Sequence, residues 1–419
     1  MGPHLLFDKS FIQSVGLNSS VWLDRFFTTI ICPVFYSETL ADLEKTMKDG
    51  KSPEIEVQVI ARKTPEMGSE PCAFHYDMVM SSLFGDSIPM NGIIPKSGGN
   101  AYRNGKNVNV KFEVAPEAEA FSRWQAGEFD LLERKYAKAW RLMINNVNFD
   151  DALLKIQKYG IDWDNIKSLE QVKAYSKTLV ETRDRFLDRA FLFLLLLGVN
   201  EVSLKKMIID RWSNMGERSL RDFAPYAAFV AELEIFFHVA AKKGFISLNR
   251  ATNKIDLAYL YYLPFCVVFV SSDKLHRTCA KYFLRDDQEF IWGEDLKKDL
   301  DSINAHYQAL PTEELEKGVY KFAKKPPLVK DSIVTRLWDK YCFKGGESLS
   351  KAETPPENVK DMLDRIGQIS NLPMIPNFKM DKNENEVKEM VVERMIHKKK
   401  GTWYQLPESL KDPSSNNKE

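Results

Sequence analysis

The chain has 419 residues, 44% apolar and 12% aromatic, so it exceeds the usual size of one domain and can bury a large core. Its 59 basic and 59 acidic residues cancel, which argues against attraction to nucleic acid through bulk positive charge. Five scattered cysteines indicate reduced thiols and a cytoplasmic setting rather than a disulfide framework. The N-terminus lacks the basic and long apolar segments of a signal peptide, so none is expected.

The N-terminal segment predicts a strand that ends at an acidic residue. Residues 4–7 are a short apolar run, and Asp8, Lys9 and Ser10 follow at once. In a parallel α/β unit the carboxyl ends of the strands meet at one edge of the sheet, where ligands bind. Asp8 is therefore a candidate site residue.

A second strand and a helix follow. Residues 30–32 form a short apolar strand, and Pro33 can open the next helix because its fixed φ suits the first helical position. Glu38 and Asp42 are four residues apart on this helix, so they share a face. This adds two carboxylates near the same edge.

Residues 47–244 are predicted to be a mostly helical region. Residues 117–146 form one long helical pattern that can break at Gly127. Residues 191–199 are the most apolar run, but they are about half the length of a membrane span, so a buried core helix is predicted. Residues 245–248 are predicted to return to the α/β core as a strand.

The stretch from Lys254 to Tyr282 is predicted to carry the second half of the site. Asp256 opens an apolar helix that Pro264 ends, because proline has no N–H to donate. Residues 266–270 form a continuous apolar run, which is typical of a strand buried on both faces. Asp273 stands at the carboxyl end of that strand, before another helix.

The remaining residues, 294–419, are predicted to be a helical C-terminal extension with a loose tail. Helices are expected at 296–310 and 332–341, after a strand at 289–292. Glycine, serine, proline and charge increase from residue 345 onward, and a charged helix is predicted at 385–400.

Four segments together carry a resemblance to a known family: LLFDKS, VFYSETLADL, KIDLAYLYYL and VVFVSSD. Their order and their strand–helix context are similar to the four acidic motifs of PIN-domain nucleases. The resemblance covers roughly residues 3–46 and 245–293, and the residues between them are far more numerous than is usual in that family. It implies an α/β, PIN-like parallel-sheet (Rossmann-like) core over 1–46 plus 245–293, with 47–244 as a helical insertion.

The resemblance also implies a set of site residues. Its acidic quartet is Asp8, Glu38, Asp256 and Asp273. Clustered carboxylates repel one another, and Mg²⁺ or Mn²⁺ would relieve that repulsion through oxygen ligands. Asp8, Asp256 and Asp273 would hold the metal, and Glu38 would orient the metal or its water.

Other side chains near the quartet have auxiliary roles in this hypothesis. Ser10 and Ser271 could hold a water or a phosphate oxygen. Asp42 could join the site or pair with a nearby lysine. Lys9 and Lys274 each flank a candidate ligand and could contact phosphate, although solvated lysines are the commoner case.

The function predicted is a metal-dependent endonuclease, with RNA a more probable substrate than DNA because the resembling family mostly cuts RNA. Weaker candidates for RNA contact are Lys205, Lys206 and Arg211. The alternative is an inactive PIN-like scaffold whose helical insertion recognises a protein or nucleic-acid partner. The pairs Cys72–His75 and His276–Cys279 have spacings compatible with zinc. The first lies in a predicted loop and the second in a helix that packing already explains, so zinc is disfavoured.

Overall fold

The computed structural model describes residues 2–45, 52–96, 98–104, 107–145, 157–159, 163–247, 253–343 and 387–410. The looser region predicted from residue 345 and the tail beyond 410 fall largely outside these ranges. The strands of the described residues are β1 His4–Phe7, β2 Thr28–Ile31, β3 Ser69–Pro71, β4 Asn100–Asn104, β5 Asn107–Phe112, β6 Val268–Ser271, β7 Glu289–Trp292, β8 Val387–Val392, β9 Lys399–Lys400 and β10 Trp403–Tyr404.

Helices make up most of the remaining described chain. Those of the N-terminal half are α1 Lys9–Ser14, α2 Leu17–Phe26, α3 Pro33–Leu40, α4 Pro53–Lys63, α5 His75–Phe84, α6 Pro116–Ala126, α7 Leu131–Asn145, α8 Leu169–Glu181 and α9 Phe186–Leu196. Those that follow are α10 Val202–Asn214, α11 Leu220–Phe223, α12 Pro225–Lys242, α13 Asn253–Leu260, α14 Lys274–Cys279, α15 Gly293–Gln308, α16 Thr312–Leu315, α17 Val319–Phe322 and α18 Ile333–Trp338.

A five-stranded parallel sheet in the order β3-β2-β1-β6-β7 forms the centre of the fold. All residues of β2 and β6 are buried, as expected for parallel strands covered on both faces. The strand order reverses between β1 and β6, which lie side by side with Leu6 opposite Phe269. The predicted α/β class and the strands near residues 4–7, 30–32, 266–270 and 289–292 are confirmed.

The sheet also draws on the region that the sequence assigns to the helical insertion. β3 pairs with β2 through Thr29–Ser69, Ile30–Glu70 and Ile31–Pro71. Proline is tolerated in this strand because β3 lies at the edge of the sheet. β4 and β5 form an antiparallel pair in the same region, and β8 joins β5 to complete a second, three-stranded sheet.

Two local predictions are wrong. Residues 245 and 246 form bends and residue 247 belongs to no regular element, whereas a strand was predicted at 245–248; residue 248 lies outside the described residues. Within the predicted charged helix at 385–400, the described residues contain β8 and β9. By contrast, the predicted break at Gly127 is confirmed, because α6 ends there with φ of 82°, a left-handed conformation that glycine adopts without strain.

The apolar run at 191–199 lies in and just after α9, where Leu192 and Leu194 are fully buried. The interpretation as a core helix is therefore confirmed. None of the helices within the described residues combines the length and apolar character needed to cross a membrane.

An aromatic cluster joins the C-terminal extension to the core. The Trp22 ring on α2 stacks on Tyr307 of α15 with centroids 4.4 Å apart and meets the edge of Trp403 of β10 at 4.8 Å. Trp338 Nε1 donates a hydrogen bond of 2.5 Å to the carbonyl oxygen of Phe26. The described part of the C-terminal extension is thus packed against helix α2.

Candidate active site

The ends of β1 and β6 bring two predicted acidic residues together. Asp8 follows β1 directly, and Asp273 follows β6 after one intervening residue. These strands are neighbours at the point where the strand order reverses, the position at which open α/β sheets bind ligands. Ser271 Oγ, at the end of β6, donates a hydrogen bond of 2.8 Å to Asp8 Oδ2. Both acidic residues therefore lie at the carboxyl edge of one sheet.

The Asp8 carboxylate accepts hydrogen bonds at both of its oxygens. Its Oδ1 accepts from the Phe11 N–H at 3.0 Å and so caps α1, while Oδ2 accepts from Ser10 Oγ at 2.6 Å. His276 Nδ1 lies 3.4 Å from the same Oδ2. Burial acts to raise the pKa of Asp8, but His276, Ser10 and Ser271 outweigh it and lower that pKa. Asp8 is therefore a buried carboxylate, only 3% exposed.

Asp273 caps the next helix. Its Oδ1 accepts from the Leu275 N–H at 2.6 Å, and its own N–H donates to Ser271 Oγ at 2.9 Å. Ser271 and Ser10 thus serve to fix the acidic residues. Both hydroxyls donate their single proton to Asp8. The expectation that they also hold a water or a phosphate oxygen stays a prediction.

Asp256, on α13, has its pKa raised by burial and by the other three carboxylates. Burial is the largest cause that raises its pKa, to about 7, and the charges of Asp273, Glu38 and Asp8 add to the rise while His276 opposes it. The four predicted acidic residues therefore act on one another electrostatically. Such mutual repulsion is what a bound cation would relieve.

Glu38 joins the group from α3. Its Oε2 accepts from the Tyr259 hydroxyl at 2.6 Å, which links α3 to α13. Burial mainly raises the pKa of Glu38, against the charge of Lys9 and the Tyr259 hydrogen bond. Tyr259 was not predicted as part of the site, although its spacing of three residues from Asp256 places both on neighbouring positions of one helix.

Lys9 and Asp42 form a buried ion pair beside the quartet. Lys9 Nζ lies 2.7 Å from Asp42 Oδ2 and 4.0 Å from Glu38 Oε1, and Arg141 Nη2 lies 3.3 Å from Asp42 Oδ1. Lys9 and Asp42 are 6% and 2% exposed. The prediction that Lys9 contacts phosphate is therefore wrong, because its ammonium is an internal counter-ion. Lys274, in contrast, is exposed at the first position of α14.

His276 is a second residue of this site, after Tyr259, that the sequence did not identify. It was considered only as a zinc ligand with Cys279, yet its imidazole contacts Ser271 and Asp8, and its Nε2 lies 2.6 Å from the main-chain oxygen of Asp256. Burial alone would lower the pKa of His276, but Asp8 and Asp256 raise it to about 9. The signal available was its position three residues after the helix-capping Asp273.

The oxygen ligands present suit Mg²⁺ or Mn²⁺, which prefer hard oxygen donors. Among the residues that the structure describes, no three His, Cys, Asp or Glu side chains already form a group that could hold a metal. That result gives the zinc pairs no support. It is compatible with Mg²⁺, which usually takes one or two carboxylates and completes its shell with waters and substrate phosphates. The pKa values of Asp256 and Glu38 are both raised, so a nearby cation would stabilise the ionised form of each.

The chain matches no family model, and no curated protein or solved structure is similar to it in sequence or fold at a significant level. The PIN-like interpretation therefore rests on the four acidic motifs and on where their residues lie, two at strand ends of the sheet and two on helices. Those positions supply the basis of the functional proposal.

Proposed function

We propose that the chain is a divalent-metal-dependent endonuclease that hydrolyses phosphodiester bonds, with RNA the favoured substrate. The observation that carries the proposal is the meeting of Asp8 and Asp273 at the carboxyl ends of adjacent parallel strands, at the reversal of strand order. The effect of Asp8, Glu38 and Asp273 on the pKa of Asp256 supports their grouping. A PIN-like core with a helical insertion is part of the same proposal.

The side chains of the proposed site have two roles: some would bind the metal, and others would orient the attacking water or the substrate. Of the predicted ligands Asp8, Asp256 and Asp273, one or two would bind Mg²⁺ or Mn²⁺ directly, and waters would complete the shell. The bound ion would supply a Lewis acid that acidifies water and offsets charge on the leaving oxygen. Glu38, fixed by Tyr259, would accept a hydrogen bond from the attacking water. Lys274 is exposed beside Asp273 and would contact a phosphate of the substrate.

The basic side chains proposed to contact RNA away from the site differ in solvent exposure and in the contacts they already make. Lys206 is exposed on α10, and Lys205 is half-buried there. Arg211 is already committed, since it donates to the Leu83 carbonyl at 2.9 Å and packs over the Phe223 ring. Lys206 is therefore a better candidate than Arg211. The five free cysteines support the cytoplasmic setting that we propose.

The test is cleavage of a 5′-labelled single-stranded RNA in the presence of Mn²⁺ or Mg²⁺. Asp256→Asn should abolish cleavage and leave RNA binding within a few-fold, because binding depends on cations elsewhere. Asp295→Asn, on the exposed surface of α15, is the matched control and should cleave normally. Wild-type protein that cuts neither RNA nor DNA with either metal would refute the proposal.

A second candidate is favoured by one surface. Leu131 and Leu132 on α7 are 70% and 76% exposed, and Leu142 and Met143 are also more than half exposed. Exposed apolar side chains concentrated on one helix are typical of a protein-interaction surface. The alternative is a non-catalytic scaffold that binds a partner through this helix. It predicts that Leu132→Glu abolishes partner binding while Asp256→Asn has no effect.

A further inference from the structure

His276 connects three elements of the proposed site. It is fully buried on α14, and its imidazole is flanked edge-on by Tyr259 and Phe269 with ring centroids 5.7 and 5.1 Å away. Its Nδ1 lies 2.8 Å from Ser271 Oγ, and its Nε2 lies 2.6 Å from the main-chain oxygen of Asp256. The ring therefore bridges the end of β6 and helix α13.

The hydrogen-bond partners determine where the protons lie. A carbonyl oxygen only accepts, so Nε2 must donate to Asp256. Ser271 Oγ has one proton and two lone pairs, and it accepts from the Asp273 N–H at 2.9 Å. Its proton goes to Asp8 Oδ2 at 2.8 Å, because an ionised carboxylate accepts only. The second lone pair of Ser271 then takes the Nδ1 proton, so both nitrogens of His276 donate.

We propose that His276 is the positioning residue of the acidic site: through Ser271 it aims a hydroxyl proton at Asp8, and through Nε2 it fixes the main chain that carries Asp256. This inference rests on the proposed function. Without His276, the Ser271 hydroxyl is free to turn away from Asp8 and the Asp256 carbonyl loses its partner. Residues that orient metal ligands in this way typically contribute about 10- to 100-fold to metal affinity.

The experiment measures the Mn²⁺ dissociation constant of the full chain by electron paramagnetic resonance and calorimetry. His276→Gln, which can satisfy only one of the two acceptors, should weaken Mn²⁺ binding about 10- to 100-fold. His306→Gln is the matched control, since His306 is exposed on α15, and it should bind like wild type. The double variant His276→Gln/Ser271→Ala should weaken Mn²⁺ binding by less than the product of the two single effects, because both changes break the hydrogen bond between His276 and Ser271.

Each outcome decides a different point. A folded His276→Gln variant that binds Mn²⁺ like wild type overturns the positioning role and leaves the nuclease proposal standing. Wild type that does not bind Mn²⁺ overturns the proposed function, and this inference falls with it. If His276→Gln does not fold, Ser271→Ala and Ser271→Thr take its place: alanine should weaken binding and threonine, which keeps the hydroxyl, should restore it. Equal affinity of these two variants would also overturn the role.

Discussion

Replacing Asp273 by asparagine separates the two roles of this side chain, as a helix cap and as a charge. Its Oδ1 caps α14 by accepting from the Leu275 N–H, and asparagine caps helices about as well as aspartate. The charge of Asp273, however, raises the pKa of Asp256. Asp273→Asn should therefore keep the cap and relieve the repulsion, so the metal-free protein should be as stable as wild type or more stable.

The magnitude follows from the pKa of Asp256. That pKa is about 7 against an ordinary value of 3.8, so at about 1.4 kcal/mol per pH unit the ionised form costs roughly 4 kcal/mol above pH 7. Burial is the largest cause, and Asp273 is one of three carboxylates that add to it. Removing the charge of Asp273 should raise the free energy of unfolding of the metal-free protein by about 0–1.5 kcal/mol. Because a raised pKa lowers stability as pH rises through it, the gain should be small at pH 5 and fully present at pH 8.

Urea unfolding at pH 5 and pH 8, with and without Mn²⁺, measures these terms. Asp273→Ala isolates the cap and should be about 1 kcal/mol less stable than Asp273→Asn at both pH values. Wild type should gain stability from Mn²⁺, and Asp273→Asn should gain little or none. The reasoning is refuted if Asp273→Asn is as unstable as Asp273→Ala at pH 8, or if both respond to Mn²⁺ like wild type.

Three further predictions concern the charges around the site and the core. Lys9→Met should cost about 3–5 kcal/mol in urea unfolding, because it removes a close partner of the buried Asp42 carboxylate, and Lys9→Met/Asp42→Asn should recover much of that loss. Lys274→Ala should leave stability unchanged but lower the slope of log K against log salt for single-stranded RNA by about 0.7, which an unchanged slope would contradict. Glu66 accepts hydrogen bonds from His397 and neighbouring amides, and its pKa is lowered to about 2 against burial, so Glu66→Gln should cost about 3 kcal/mol at pH 7. That difference should shrink as pH falls from 4.5 to 2, whereas a constant difference would assign the loss to packing.

The parts of the fold that sequence predicted were those with strong local signals. Residues 4–7 and 266–270 are apolar runs that end at a helix-capping aspartate, so the strand and its carboxyl edge could both be inferred. β3 gave no such signal, since its sequence is Ser-Glu-Pro and its Glu70 is buried through ion pairs with Lys96 and Arg394. The strand exists because β2 offers an edge to pair with. The charges of the wider segment 385–400 favoured a helix, but three of the six residues of β8 are valines and the strand pairs with β5.

The acidic residues of the candidate site could be proposed from local signals. Asp8 and Asp273 each cap a helix just after a strand, and Asp256 lies in the first turn of α13. Glu38 lies further along α3 and was included because of the motif. The counter-ions of these residues could not be predicted. Lys9 and Asp42 are 33 residues apart in the sequence, so only the folded structure shows that the Lys9 ammonium is buried against the Asp42 carboxylate. His276 acts through the main-chain oxygen of Asp256, an acceptor that every residue possesses and that no sequence pattern marks.

The most direct test of the account is an anomalous difference map from a crystal of the wild-type chain soaked in Mn²⁺. The account predicts an anomalous peak at the carboxyl edge of the parallel sheet, within coordination distance of Asp256 and Asp273, and loss of that peak in Asp256→Asn. A soaked crystal without an anomalous peak among these carboxylates would contradict it.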